Sequence, residues 1–246
     1  MFAAAVFNLK PRQLLFITVL LSLLFPLLLL VFDYEKNWDW DSLSYQNFWS
    51  LDGMIRHVLF NGFHPVIPWA AFLVFGMWLG RLDLGQPKIR IRLLLVASLS
   101  LLLVEFSFSQ LRQWLGNGDV WAMKSEEVTF LFSTSMIPPL PQYLVSAGSS
   151  ALLVIVICLY ISQLFAGNRL VTWLCQTGQL SLSIYVGHVI FGLGVIEAMG
   201  RLQNQSIEFS LICSALFCVV ALGLSVLWLR FFKRGPLESV FRKFVS

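Results

Sequence analysis

Charge is what this chain has least of. Charged side chains make up 12% of its 246 residues, against 58% that are hydrophobic. That is too little charge to wet the surface of a soluble domain of this length. Paired cysteines are missing as well. Cys158, Cys175, Cys213 and Cys218 show no C-x-x-C spacing, so neither a disulfide framework nor a zinc site is indicated, and packing filler is the expected role of all four. No G-x-x-x-x-G-K-[ST], G-x-S-x-G, H-E-x-x-H or dinucleotide fingerprint occurs. ATP hydrolysis, metalloproteolysis and hydride transfer therefore have no support. No cofactor or metal is evident.

Long apolar runs are what the chain does have. They cover residues 14–32, 65–80, 93–111, 144–165, 180–199 and 207–232, and about 20 helical residues span the ~30 Å hydrocarbon core of a bilayer. The second run is short and is expected to begin inside 54–63. The first run ends in Val31-Phe32-Asp33-Tyr34, with no small-residue cleavage pattern, and reads as an anchored span, not a signal peptide. The expectation is an all-α membrane protein, a polytopic bundle of about six transmembrane helices forming one domain over 1–246. Its first partner is the lipid bilayer.

Basic residues alternate between the ends of these runs. Lys10, Arg12, Arg81, Lys88, Arg90, Arg92, Arg169, Arg230, Lys233, Arg234, Arg242 and Lys243 fall on one side. Lys36, Arg56, Arg112, Lys124 and Arg201 fall on the other. Twelve against five puts both termini in the cytoplasm. The net charge of +4 thus reflects orientation, and nucleic acid is not an expected partner.

The connecting segments carry further signals. Segment 33–62 is long and acidic, with Trp38, Trp40 and Trp49 suited to a membrane interface. Segment 112–142 contains the turn signal Gly116-Asn117-Gly118 and ends in Pro138-Pro139-Leu140-Pro141, an extended entry to the fourth span. Its apolar middle, 128–132, lies on the membrane or folds back between helices. The basic loop 81–92 suits anionic headgroups. Gly76 and Gly80 form G-x-x-x-G, and Ser183 and Gly187 repeat that spacing before Gly192 and Gly194. These read as close helix packing.

Three residues are candidates for chemistry. Glu105 lies about 12 residues into the third span, ~18 Å from its edge. An acid at that depth costs ~2.5 kcal/mol or more unless protonated or paired. With Ser98, Ser109 and Arg112 it forms one polar helix face. It is either a proton site or a carboxyl group held by a neighbouring helix or by Arg112. His188 sits in a stripe with Ser181, Tyr185 and Gly192. It is either a general base oriented by Glu105 or a neutral ring bonded to Tyr185 or a carbonyl. His64, in Asn61-Gly62-Phe63-His64-Pro65-Val66-Ile67-Pro68-Trp69, stands where two prolines free backbone carbonyls. It is a site residue or a helix-start motif. His57 reads as a plain interfacial residue, and Glu197 with Arg201 as a local ion pair.

Four segments carry a family resemblance. They are Phe60-Asn61-Gly62-Phe63-His64-Pro65-Val66-Ile67-Pro68-Trp69 running on to Gly76-Met77-Trp78-Leu79-Gly80-Arg81-Leu82-Asp83, then Pro138-Pro139-Leu140-Pro141-Gln142-Tyr143-Leu144-Val145-Ser146-Ala147-Gly148, then Leu182-Ser183-Ile184-Tyr185-Val186-Gly187-His188, and last Arg234-Gly235-Pro236-Leu237-Glu238. Together they resemble the YeiB-like bacterial integral-membrane family, a domain of unknown function grouped with transmembrane acyltransferases of the heparan glucosaminide acetyltransferase type. The resemblance is strongest over 54–246. It implies the bacterial cytoplasmic (inner) membrane and transfer of an acyl group from a cytoplasmic thioester donor to an envelope acceptor. Members usually begin with further spans bearing an Arg-Gly signature, which this chain lacks. A subunit or segment supplying the missing N-terminal helices is the partner this implies.

Three readings remain open at this point. The first is an acyltransferase with His188 or His64 as base and Glu105 as orienting acid. The second is a proton-coupled transporter titrating at Glu105. The third is a non-catalytic membrane subunit.

Overall fold

The computed structural model describes residues 2–42, 44–116, 125–202 and 205–245. Among these, five helices are long and apolar enough to cross a membrane, and a sixth span results if one bent pair is counted. The chain is an all-α membrane protein. At most 28% of the apolar window in any of the five is buried by protein. A solvent other than water must cover the remainder, and lipid does so. Two compact units divide the chain, Met1–Cys158 and Leu159–Ser246.

The first unit begins with α1 (Phe2–Val6) and α2 (Pro11–Val31). Pro11 opens α2 where its missing N–H costs nothing. Lys10 N–H donates to Gln13 Oε1 at 2.7 Å and closes that end. A short antiparallel hairpin follows, β1 (Trp38–Asp39) with β2 (Ser44–Tyr45), pairing Trp38 with Tyr45 and Asp39 with Ser44. Then come α3 (Leu51–Arg56), a π-helical turn His57–Asn61, and α4 (Val66–Leu79).

The second expected span is this broken pair, Leu51–Asn61 and Val66–Leu79, bent by 43°. The break follows from its residues. Pro65 and Pro68 have no N–H to continue the ladder. Gly62 sits so close to the π turn that a Cβ there would stand 2.3 Å from the His57 carbonyl oxygen. Helix α4 packs along α2, where Leu14 and Val74 are fully buried with Met77 and Trp78 beside them. Arg81 closes the other end, its guanidinium donating to the carbonyls of Phe7 and Leu9.

Asn61 ties the hairpin to the break. It is fully buried, and its amide donates to Tyr34 O (3.0 Å) and Lys36 O (2.9 Å). Its Oδ1 accepts from the Tyr45 hydroxyl at 3.0 Å, and its carbonyl accepts from the Trp38 indole. Trp38 and Trp40 stack at 4.7 Å inside this cluster. These contacts leave Trp38 and Trp40 half-buried, whereas Trp49 is 91% exposed. Tyr34 is buried against Phe25 and Phe60, and burial pushes its phenol up to about 12.

Helix α5 (Pro87–Gly116) is longer than the apolar run that signals it. It takes in Lys88, Arg90 and Arg92, so the connecting turn is shorter than 81–92 and covers 81–86; Arg90 is buried and donates to Gly85 O at 2.8 Å. The turn at Gly116-Asn117-Gly118 lies, beyond Gly116, outside the described residues. Helix α6 (Ser125–Phe132) folds back onto α5 with Val128 buried. Helix α7 (Pro141–Leu164) completes the unit and runs into the next. The G-x-x-x-G reading of α4 is corrected: a Cβ at Gly76 would meet nothing within 4 Å.

The second unit holds α8 (Arg169–Gln179), α9 (Ser181–Gly187), a π-helical turn His188–Leu193, α10 (Gly194–Ala198), α11 (Ile207–Phe231) and α12 (Pro236–Val245). Ser181–Ala198 is the fifth span and Ile207–Phe231 the last. Helix α8 lies against α11, and α12 against α9. Gly192 faces the Phe217 ring, whereas a Cβ at Gly187 or Gly194 would meet nothing within 4 Å. Arg201 lies over the Phe209 ring at 5.5 Å. Among the described residues it forms no ion pair with Glu197, contrary to the spacing argument. Cys158, Cys175 and Cys218 are exposed from the protein interior, so they do not fill a core.

Candidate functional site

Glu105 is met by two hydroxyls from two different segments. Ser146, in the second turn of α7, donates to Oε1 at 2.6 Å. Thr134, in the segment after α6, donates to Oε2 at 3.1 Å. Among the described residues no cation pairs with the carboxylate, Arg112 included. The helix-held arrangement is thus the one that forms. Gln142 holds the local backbone in shape: it is buried and donates to Leu131 O (2.8 Å) and Ser133 O (3.1 Å).

Helix α7 joins this carboxylate to the break in the second span. Tyr143, three residues before Ser146 and so on a neighbouring face, stands 6.1 Å from the Trp69 ring and 6.4 Å from Phe72. Trp69 in turn lies 4.7 Å from the His64 ring. His64 is exposed, at the break between the π turn and α4. The Trp69 indole N–H is buried with no hydrogen-bond partner among the described residues. The first turns of α7 therefore contact two groups, Glu105 through Ser146 and the Trp69 ring through Tyr143, and His64 meets only the second of them, through Trp69.

His188 belongs to the second unit and opens its π-helical turn. Its Nδ1 hydrogen-bonds the Tyr185 carbonyl, and its ring lies 5.2 Å from Tyr185 and 6.2 Å from Phe217. The partners of Glu105 and of His188 are each found within the residue's own unit. His57 opens the other π turn and packs against Tyr45 at 4.6 Å and Phe48 at 5.1 Å. Such turns recur at functional sites, and nothing in hydropathy reports them. No group of three or more His, Cys, Asp or Glu able to hold a metal occurs among the described residues.

A clasp in the second unit escaped the sequence reading. The Glu238 carboxylate accepts from Ser183 N at 3.0 Å and from the Ser183 hydroxyl, while that hydroxyl accepts from Leu237 N at 3.1 Å. An orphan N–H of helix α9 is satisfied from 55 residues away. Gly235 leaves room for this clasp, because a Cβ there would fall 2.0 Å from Glu238 Oε2 and displace the carboxylate. Burial raises the Glu238 carboxyl, but the Ser183 and backbone donors outweigh it and hold it below the ordinary value. The signal was present, since the clasp joins two of the quoted segments, Leu182-Ser183-Ile184 and Gly235-Pro236-Leu237-Glu238.

Residues 88–246 match the family model described as a protein of unknown function, DUF418. The chain belongs to the DUF418 family. This agrees with the YeiB-like resemblance over the C-terminal part, and Glu105, Ser146, His188 and the clasp all lie inside the matched region. The Phe60–Asp83 segment with His64 precedes it. No curated protein and no solved structure matches the chain.

Proposed function

We propose that this DUF418 protein is a membrane-embedded acyltransferase acting on a hydroxyl-bearing substrate of the cell envelope, with Glu105 as general base. The observation that carries the reading is that each Glu105 oxygen accepts from a hydroxyl and none from a cation. An acceptor alcohol displacing Ser146 or Thr134 meets the same carboxylate. Its oxygen then attacks the acyl carbon, its proton passes to Glu105, the new C–O bond forms and the C–S bond of the donor breaks. The proton leaves with the thiolate. His64 and Trp69, whose rings lie 4.7 Å apart, are not required by this step. The donor is an acyl thioester by family resemblance. On this reading the membrane is the bacterial inner membrane, with both termini cytoplasmic, as the basic asymmetry supports.

The broken span α3–α4 favours a second reading, a proton-coupled transporter, because carriers bind substrates at interrupted helices. A third is a non-catalytic subunit that associates with further helices. Vesicles containing the full chain separate the three, given a radiolabelled acyl thioester and the cell's own envelope fraction. Label passing into an alkali-labile ester supports acyl transfer. Uptake driven by a pH gradient without ester formation supports transport, and neither activity together with a co-purifying membrane protein supports the subunit.

A further inference from the structure

The end of α11 and the start of α12 enclose an open cavity of about 500 Å³, lined by Trp228, Phe232, Lys233, Arg234, Pro236 and Ser239. Trp228 and Phe232 stack at 4.2 Å, and the Trp228 indole donates to the Arg234 carbonyl at 2.8 Å. One wall is therefore a fixed aromatic pair. The charges are of one sign. Neither Lys233 nor Arg234 pairs with a carboxylate among the described residues. Glu238, the acid nearest in sequence, is engaged by Ser183. Arg230 precedes the pair, and Arg242 and Lys243 follow it on α12.

Helix α12 adds an apolar stripe. Leu237, Val240 and Phe241 share one side at helical spacing, with Val240 48% and Phe241 58% exposed. A helix with that stripe and a basic opposite face lies in the plane of a membrane interface. It follows within five residues of the end of the span Ile207–Phe231, so it starts at headgroup level. We propose that this cavity binds the headgroup of an anionic phospholipid, with Lys233 and Arg234 on the phosphate and the apolar side of α12 among the acyl chains. The assignment is independent of the acyl-transfer reading, because it uses none of the residues around Glu105.

The test uses the full chain purified in a non-ionic detergent and titrated with phosphatidylglycerol or phosphatidylcholine, with bound lipid counted by native mass spectrometry. Wild-type protein is expected to retain phosphatidylglycerol in preference to phosphatidylcholine. Each cation near an anionic surface is worth about fivefold in binding, so the double variant K233Q/R234Q should bind roughly 30-fold more weakly. A second variant, Ser239→Trp, keeps both charges and fills the cavity, and it should lose the same lipid. Equal retention by wild type and both variants overturns the assignment. Displacement of the lipid by inorganic phosphate or pyrophosphate also overturns it, since the ligand is then a soluble phosphate compound.

Discussion

Ser146 donates to Glu105 across 2.6 Å from a helix 41 residues further along the chain. That bond, with its Thr134 counterpart, turns a costly intramembrane acid into a held acceptor. Glu105→Gln keeps an acceptor for one hydroxyl and should cost little stability. Glu105→Leu strands both hydroxyls and should cost about 1–2 kcal/mol. Thermal unfolding of both variants in detergent checks this, and equal melting temperatures would mean the hydroxyls do not depend on the carboxylate.

Asn61 is the stability hinge of the first unit. Asn61→Ala leaves Tyr34 O, Lys36 O and the Tyr45 hydroxyl unpaired beside a buried hole. The expected loss is about 2–4 kcal/mol, near the top of the range for single substitutions. Proteolysis of the 33–50 segment should accelerate in the same variant, while an unchanged cleavage rate would show that the hairpin is held by its aromatic rings alone.

The Glu238 clasp gives the second unit an acid-sensitive end. Its carboxyl is held below the ordinary glutamate value, so its stabilising effect is present above that value and is lost as pH falls through the lower, folded one. Melting temperature should therefore drop on acidification below about pH 4.5, and Glu238→Gln should flatten that part of the profile. The clasp acts as a helix cap, so Ser183→Ala should cost ~1 kcal/mol at neutral pH. Gly235→Ala pushes the Glu238 carboxylate off Ser183 and should remove the same acid-dependent stability. An alanine at 235 with the wild-type pH profile of melting would refute the close approach.

The basic asymmetry predicts opposite membrane sides for Gly85 and Gly200, both in turns between spans. Reporter fusions active only in the cytoplasm and only outside it should give opposite results at the two positions. Matching results would remove the orientation and, with it, the cytoplasmic access of a thioester donor.

How much of this was legible in the sequence depended on the range of the interaction. The spans were readable because lipid rewards each apolar residue separately, so a running sum over about 20 residues finds them. Even the broken span announced itself through Pro65 and Pro68. What stayed hidden depends on particular partners. Trp38 and Trp40 stood out by composition, but nothing near them named Asn61, whose carbonyl accepts from the Trp38 indole. Gly76 and Gly80 carry a packing spacing, yet among the described residues a Cβ at either would touch no atom of another helix. Glu105 stood out as a lone acid among apolar residues, yet nothing in its surroundings named Thr134 or Ser146. The π turns at His57 and His188 alter hydrogen bonding without altering hydropathy, so periodicity passes over them.

The central claim is that Glu105 takes a proton from an acceptor hydroxyl. The most direct measurement is the initial rate of ester formation from a labelled acyl thioester in vesicles carrying wild-type protein or Glu105→Gln, at matched protein levels. General-base assistance is worth 10²–10⁴-fold, so the variant should retain the fold and lose about that much rate. A Glu105→Gln protein that forms ester as fast as wild type would contradict the claim and return the carboxylate to a structural role.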